Sequence, residues 1–115
     1  MQIADENYKV SYNSSTGTIT CEGVMDLRGK EAYKSVAKLF QDVVNETPET
    51  IVLDIRELEF LNSSGITTIG AGLVIKVRKK GASKFVVHCS KAFPWQERSI
   101  KGVMKLMPTL ELKLD

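Results

Sequence analysis

The chain has 115 residues, room for one compact domain and too few for two ordinary ones. It is 43% hydrophobic and 26% charged, as a globular domain is, and its net charge is only +2, from 16 basic and 14 acidic residues. That balance excludes the electrostatic footprint of a nucleic-acid or membrane-surface binder, and no run approaches the ~20 apolar residues of a membrane span.

The first ten residues, MQIADENYKV, lack a basic segment followed by an apolar core, so they do not read as a secretory signal. Tyr8 to Asn13 (YKVSYN) alternates apolar and polar residues and predicts a half-buried strand. A turn cluster with Gly17 follows, and Thr18 to Met25 (TITCEGVM) resumes strand chemistry, so the two runs predict a hairpin. From about Leu27 to Asn45, Tyr33, Val36, Ala37, Leu39, Phe40, Val43 and Val44 recur at helical spacing. Thr47 and Pro48 end that helix.

Thr50 to Ile55 (TIVLDI) is nearly continuous β-former, as in a strand covered on both faces. The segment LEFLNSSGITTIG, Leu58 to Gly70, starts as an apolar run, gathers Asn62, Ser63, Ser64 and Gly65, and leads into a helix predicted over Ile66 to Lys80. Lys76 to Gly81 (KVRKKG) reads as its charged end, where cations suit the dipole. Lys84 to Cys89 predicts another strand, Phe93 to Met107 a helix with Pro94 in its first turn, and Leu110 to Leu114 (LELKL) an edge strand. Strand–helix–strand units imply right-handed parallel crossovers. The expected fold is therefore a single α/β domain over residues 1–115, with a mixed sheet opened by a β-hairpin and helices mainly on one face.

The two cysteines, Cys21 and Cys89, form no CxxC pair and sit in no ligand-rich cluster. A disulfide stays open at this level. Two thiols in a reducing cytosol are the simpler expectation, with neither metal nor cofactor implied. His88 is the only histidine, and neither serine of LNSSGI has a glycine two residues before it, so no nucleophile elbow is present. Asp54 in IVLDI invites comparison with the phosphorylated aspartate of a response-regulator receiver. The early acids Asp5 and Glu6 precede the first strand, however, where a Mg²⁺ site needs them after it. Phe93 and Trp95 read either as core or as an aromatic anchor for a partner. Gly70 and Gly72 inside a helix each cost roughly 1 kcal/mol relative to alanine, which points to close packing or to close approach of a partner.

The polar knot is the most informative feature. Asn62, Ser63 and Ser64 are all good helix caps, and three exceed what one cap needs. At least one hydroxyl is left to face outward. Phosphate there would add about −1.5 to −2 charges and turn a neutral docking patch into one that must be desolvated to bind.

The run TIVLDIRELEFLNSSGITTIGAGL, with GVMD upstream, resembles the STAS domain of bacterial anti-sigma-factor antagonists over nearly the whole chain. The resemblance implies a cytoplasmic, phospho-switched binding module in signal transduction and transcription regulation rather than an enzyme. It implies partner switching: a protein serine kinase that doubles as an anti-sigma factor phosphorylates the first hydroxyl, and a PP2C-type phosphatase removes the phosphate. The phosphoacceptor falls on Ser63, and the partner surface on Asp26, Asn62, Ser63, Ser64, Gly65 and Ile66. Asn62 stands where the best-known members carry aspartate. The alternatives are a constitutive scaffold module without a phosphate cycle, and an aspartyl-phosphate receiver using Asp54.

Overall fold

The computed structural model describes all 115 residues. Its strands are β1 (Gln2–Ala4), β2 (Tyr8–Asn13), β3 (Thr18–Met25), β4 (Thr50–Asp54), β5 (Leu58–Leu61), β6 (Lys84–Cys89) and β7 (Glu111–Leu114). Its helices are α1 (Gly29–Ala32), α2 (Lys34–Asn45), α3 (Ser63–Ile69), α4 (Ile75–Lys80) and α5 (Pro94–Val103). A π-helical segment, Gly70–Val74, joins α3 to α4 without a break, and a 3₁₀ turn, Met104–Leu106, extends α5.

The seven strands form one mixed sheet in the order β1-β2-β3-β4-β6-β7, with β5 also paired to β3. The β1-β2-β3 meander is antiparallel, and the remaining pairings are parallel. The predicted opening hairpin is thus β2–β3, and β7 is the predicted edge. The mixed α/β architecture is as the sequence implied. The covered face carries Val10, Ile19, Cys21, Ile51, Leu53, Phe85, Val87 and Cys89, all buried beneath the helices. The opposite face presents half-buried Thr18, Thr20, Glu22, Val52, Asp54, Val86 and His88, so β4 is covered on one face where its apolar run suggested two.

Two strands lay outside the sequence expectation. β1 is three residues long and carries no period to detect. β5 belongs to the LEFL run and lies on the same side of β3 as β4, one beyond the other. Gly23 pairs with Leu58 and Val24 with Phe60, which leaves Glu59 as an extra, bulged residue. The bulge explains how Leu58 and Leu61, three apart, are both buried while Glu59 and Phe60 are exposed. Opposite it, Gly23 adopts φ +90, and a Cβ there would stand 2.3 Å from the Asn7 carbonyl oxygen.

The first predicted helix is broken at Tyr33, whose backbone leaves helical geometry (φ −91, ψ 4) while its ring is buried. The second begins at Ser63, three residues before the expected Ile66, because the polar knot itself forms its first turn. No helix is long and apolar enough to cross a membrane.

Candidate functional site

At the end of β5 the chain turns directly into α3, and Asn62 makes that turn. Its Oδ1 accepts from the Gly65 amide (3.0 Å), the cap bond of the helix, and from the Tyr33 hydroxyl (2.7 Å). Its Nδ2 donates to the Leu27 carbonyl (2.6 Å) and to Asp26 Oδ1 (3.2 Å). One amide therefore ties α3 to the end of β3 and to the break before α2. Both halves are needed, since a backbone amide fixes the oxygen and a backbone carbonyl fixes the nitrogen. An aspartate here would keep the cap, lose both donations, and set a second carboxylate against Asp26. The asparagine is a structural fit, and its side chain turns inward, away from Ser63.

Around that amide the other predicted residues take distinct places. Asp26 is exposed, and its Oδ2 meets Arg28 Nη2 at 3.2 Å. Ser63 is exposed, and its hydroxyl has no hydrogen-bond partner within the chain. Ser64 is half-buried, and its carbonyl accepts from Thr68 Oγ1 at 2.8 Å. Gly65 is buried, and a Cβ there would stand 2.2 Å from Leu61 Cδ1 and 2.7 Å from the Tyr33 hydroxyl. Glycine is thus required by packing at Gly65, which offers a partner no surface. Ile66 is partly buried against the core and starts the helical ladder, its amide donating to the Asn62 carbonyl at 3.0 Å. Tyr33 was not anticipated at this site. Burial raises its pKa, which keeps the phenol a donor to Asn62.

Next to Asp26 and Asn62 lies an exposed apolar pair. Val24 (39% exposed) and Phe60 (46%) are register partners on β3 and β5, two residues before Asp26 and Asn62 respectively. They adjoin the candidate site on the uncovered side of the sheet.

The competing candidates are spent on structure. Asp54 gives both carboxylate oxygens to Arg56: Oδ1 accepts from the Arg56 amide (3.1 Å) and Nε (3.0 Å), and Oδ2 from Nη2 (2.9 Å). Burial alone would raise the Asp54 pKa, but the Arg56 hydrogen bonds and charge outweigh it and hold the carboxyl below its ordinary value. No cluster of three His, Cys, Asp or Glu side chains is arranged to hold a metal ion, as a receiver requires. His88 Nε2 lies 2.9 Å from Asp115 Oδ2, so its ring is engaged by a carboxylate and not by a serine. Cys21 and Cys89 are unpaired and buried, and burial pushes their thiols up to about 12 and about 11. Neither is a nucleophile at neutral pH.

The aromatics of α5 also resolve. Trp95 packs partly buried on the core and donates its indole N–H to the carbonyl of the bulged Glu59 at 2.9 Å. Phe93 is half-buried at the helix N-cap. The sequence reading overlooked Gln96, the one buried polar side chain. Its Nε2 donates to the carbonyls of Ile55 (2.6 Å) and Leu58 (2.8 Å), and its Oε1 accepts from the Ser90 amide (2.8 Å). Its place in a helical pattern gives no hint of this, because the carbonyls it serves come from a strand break some forty residues earlier.

Fold and turn geometry together define a mixed-sheet α/β domain with an exposed hydroxyl at the strand–helix junction. The same fold is found in SiaC of Pseudomonas aeruginosa, solved in complex with the diguanylate cyclase SiaD that it activates. The two match over 100% of this chain and 99% of the other, with a TM-score of 0.73 and 12% sequence identity. At that identity the likeness carries the fold. No family model matches the sequence, and no curated protein matches it.

Proposed function

We propose that this chain is a regulatory binding protein, not an enzyme, that holds a partner protein while Ser63 is unphosphorylated and releases it when Ser63 carries phosphate. The observation that carries the reading is the Ser63 hydroxyl. It is exposed and unbonded at a turn whose capping is already complete through Asn62. Phosphate there would leave that network intact and change only the outward surface. The partner surface joins Asp26, Ser63, Ser64 and Ile66 to the Val24–Phe60 pair, a polar rim beside an apolar contact. Following the resemblance to anti-sigma-factor antagonists, the partner is a serine kinase that acts as an anti-sigma factor, and a PP2C-type phosphatase resets the switch. The solved neighbour lends support of a coarser kind: a chain of the same fold and extent that activates a diguanylate cyclase.

Incubation with the partner kinase and ATP, followed by peptide mass spectrometry, tests the site. One phosphate is expected on the peptide containing Ser63 and none in Ser63→Ala. Labelling that persists in that variant removes Ser63 from the scheme. A constitutive binding role is the second reading, favoured by a turn network that is complete without phosphate. Unchanged partner affinity in Ser63→Asp would select it.

A further inference from the structure

A groove of about 540 Å³ runs between α2 and the continuous helix from Ser63 to Lys80. Lys30 and Ser63 line it, as do Ala37, Ala71 and Gly72, and Lys76 lies thirteen residues along the helix from Ser63, about 20 Å at 1.5 Å per residue. No carboxylate lines this groove. Neither lysine forms an ion pair, as is true of most basic side chains of this chain, and what sets these two apart is that both line one cleft. Two cations therefore line one cleft that has no carboxylate in its lining.

The glycines separate what the fold needs from what it does not. At Gly70 a Cβ would press Leu106 Cδ1 at 3.2 Å, so internal packing accounts for that glycine. At Gly72 the nearest atoms would be Thr68 Cγ2 (3.6 Å), Ala37 Cβ (3.8 Å) and Phe40 Cδ2 (3.9 Å), all ordinary contacts. The fold could accept alanine there and gain helix propensity. Gly72 also lies in the π-helical segment, a geometry frequent at functional sites.

We propose that this groove docks an acidic segment of the partner protein, with Lys30 and Lys76 reading its carboxylates and Gly72 allowing close approach. Phosphate on Ser63 then weakens docking by adding about −1.5 to −2 charges at one mouth of a groove whose own charge is that of two lysines. This second step rests on the phospho-switch proposed above; the docking step does not.

The test is an NMR titration of the isotopically labelled full chain with a synthetic peptide of about twelve alternating Glu and Ala residues, roughly the groove length when helical. The matching Lys/Ala peptide is the control. Shift changes are expected along Lys30, Ala37, Thr67, Ala71 and Lys76 with the acidic peptide alone. Lys30→Ala and Lys76→Ala should each weaken binding about threefold to tenfold. Gly72→Leu should weaken it further, and Gly72→Ala should keep or raise the melting temperature. No shifts, or shifts centred on Arg78–Lys80 as for simple charge attraction, would overturn the docking step. Phosphoserine installed synthetically at Ser63 should weaken binding about tenfold. Unchanged affinity there overturns the coupling whatever the kinase assay shows.

Discussion

Two side-chain amides clamp the two ends of β5, and their surroundings differ. Gln96 is fully buried, and all it touches is backbone: the carbonyls of Ile55 and Leu58 where the sheet steps from β4 to β5, and the Ser90 amide. Asn62 does the same for the exit of β5, through Gly65, Leu27, Tyr33 and Asp26, but it is only half-buried. Beyond Gln96, Trp95 closes the remaining carbonyl, that of Glu59. Beyond Asn62 stand a hydroxyl with no partner, an exposed apolar pair and a groove with two unpaired lysines. Both regions show a strand held by an amide. The second also gathers, around one turn, an unbonded hydroxyl, an exposed apolar pair and two lysines lining one groove, and a candidate site is made of that combination.

The comparison predicts unequal costs. Gln96→Leu keeps apolar volume but strips the Gln96 bond from the Leu58 carbonyl and the Ser90 amide, and leaves the Ile55 carbonyl only the Leu58 amide, so a loss of about 3 kcal/mol is expected in urea unfolding. A loss under about 1 kcal/mol would mean that water replaces the clamp and that the two regions are alike. Asn62→Ala, closer to solvent, should cost about 2 kcal/mol. Asn62→Asp should also destabilise, by about 1 to 2 kcal/mol, through the lost donation to Leu27 and the carboxylate placed beside Asp26. Asp26→Asn added to Asn62→Asp should recover part of that loss, a coupling that a double-mutant cycle reads directly. Additive losses would show that Asp26 and Asn62 do not interact in solution.

The sequence made one of these clamps legible and hid the other. Asn62 announces itself because helix caps are local: its Oδ1 bonds Gly65 three residues on, and its position after an apolar run is a known pattern. Gln96 is silent because its partners are distant in the chain and are backbone atoms, which no residue pattern records. β5 was missed for a related reason. Its bulge at Glu59 breaks the period of two, so LEFL reads as a step and not as a strand. The groove escaped too, since Lys30 and Lys76 come to line one cleft only through the packing of helices.

A smaller effect separates the Asp54–Arg56 pair from the switch. Arg56 holds the Asp54 pKa below its ordinary value against the opposing effect of burial. A depressed folded-state pKa gives stability that is present above the unfolded value, about 3.9, and is lost as pH falls below it. Acid unfolding should therefore steepen below about pH 4. Arg56→Gln should flatten that limb and leave partner binding unchanged. A change in partner binding would extend the partner surface from the Val24–Phe60 pair to Arg56.

The smallest stability effect carries the sharpest distinction. Ser63 is exposed and unbonded, so Ser63→Ala should change stability by no more than about 0.5 kcal/mol. The same substitution should abolish phosphate incorporation, and Ser63→Asp should weaken partner retention while the melting temperature holds. Asn62→Ala should show the opposite profile, a clear loss of stability with Ser63 still phosphorylated in the folded fraction. Two adjacent residues would then divide the turn, one holding the fold and the other carrying the signal. If Ser63→Ala were instead to lower stability as much as Asn62→Ala, the hydroxyl would be part of the cap, and the combination that defines the site would not include it.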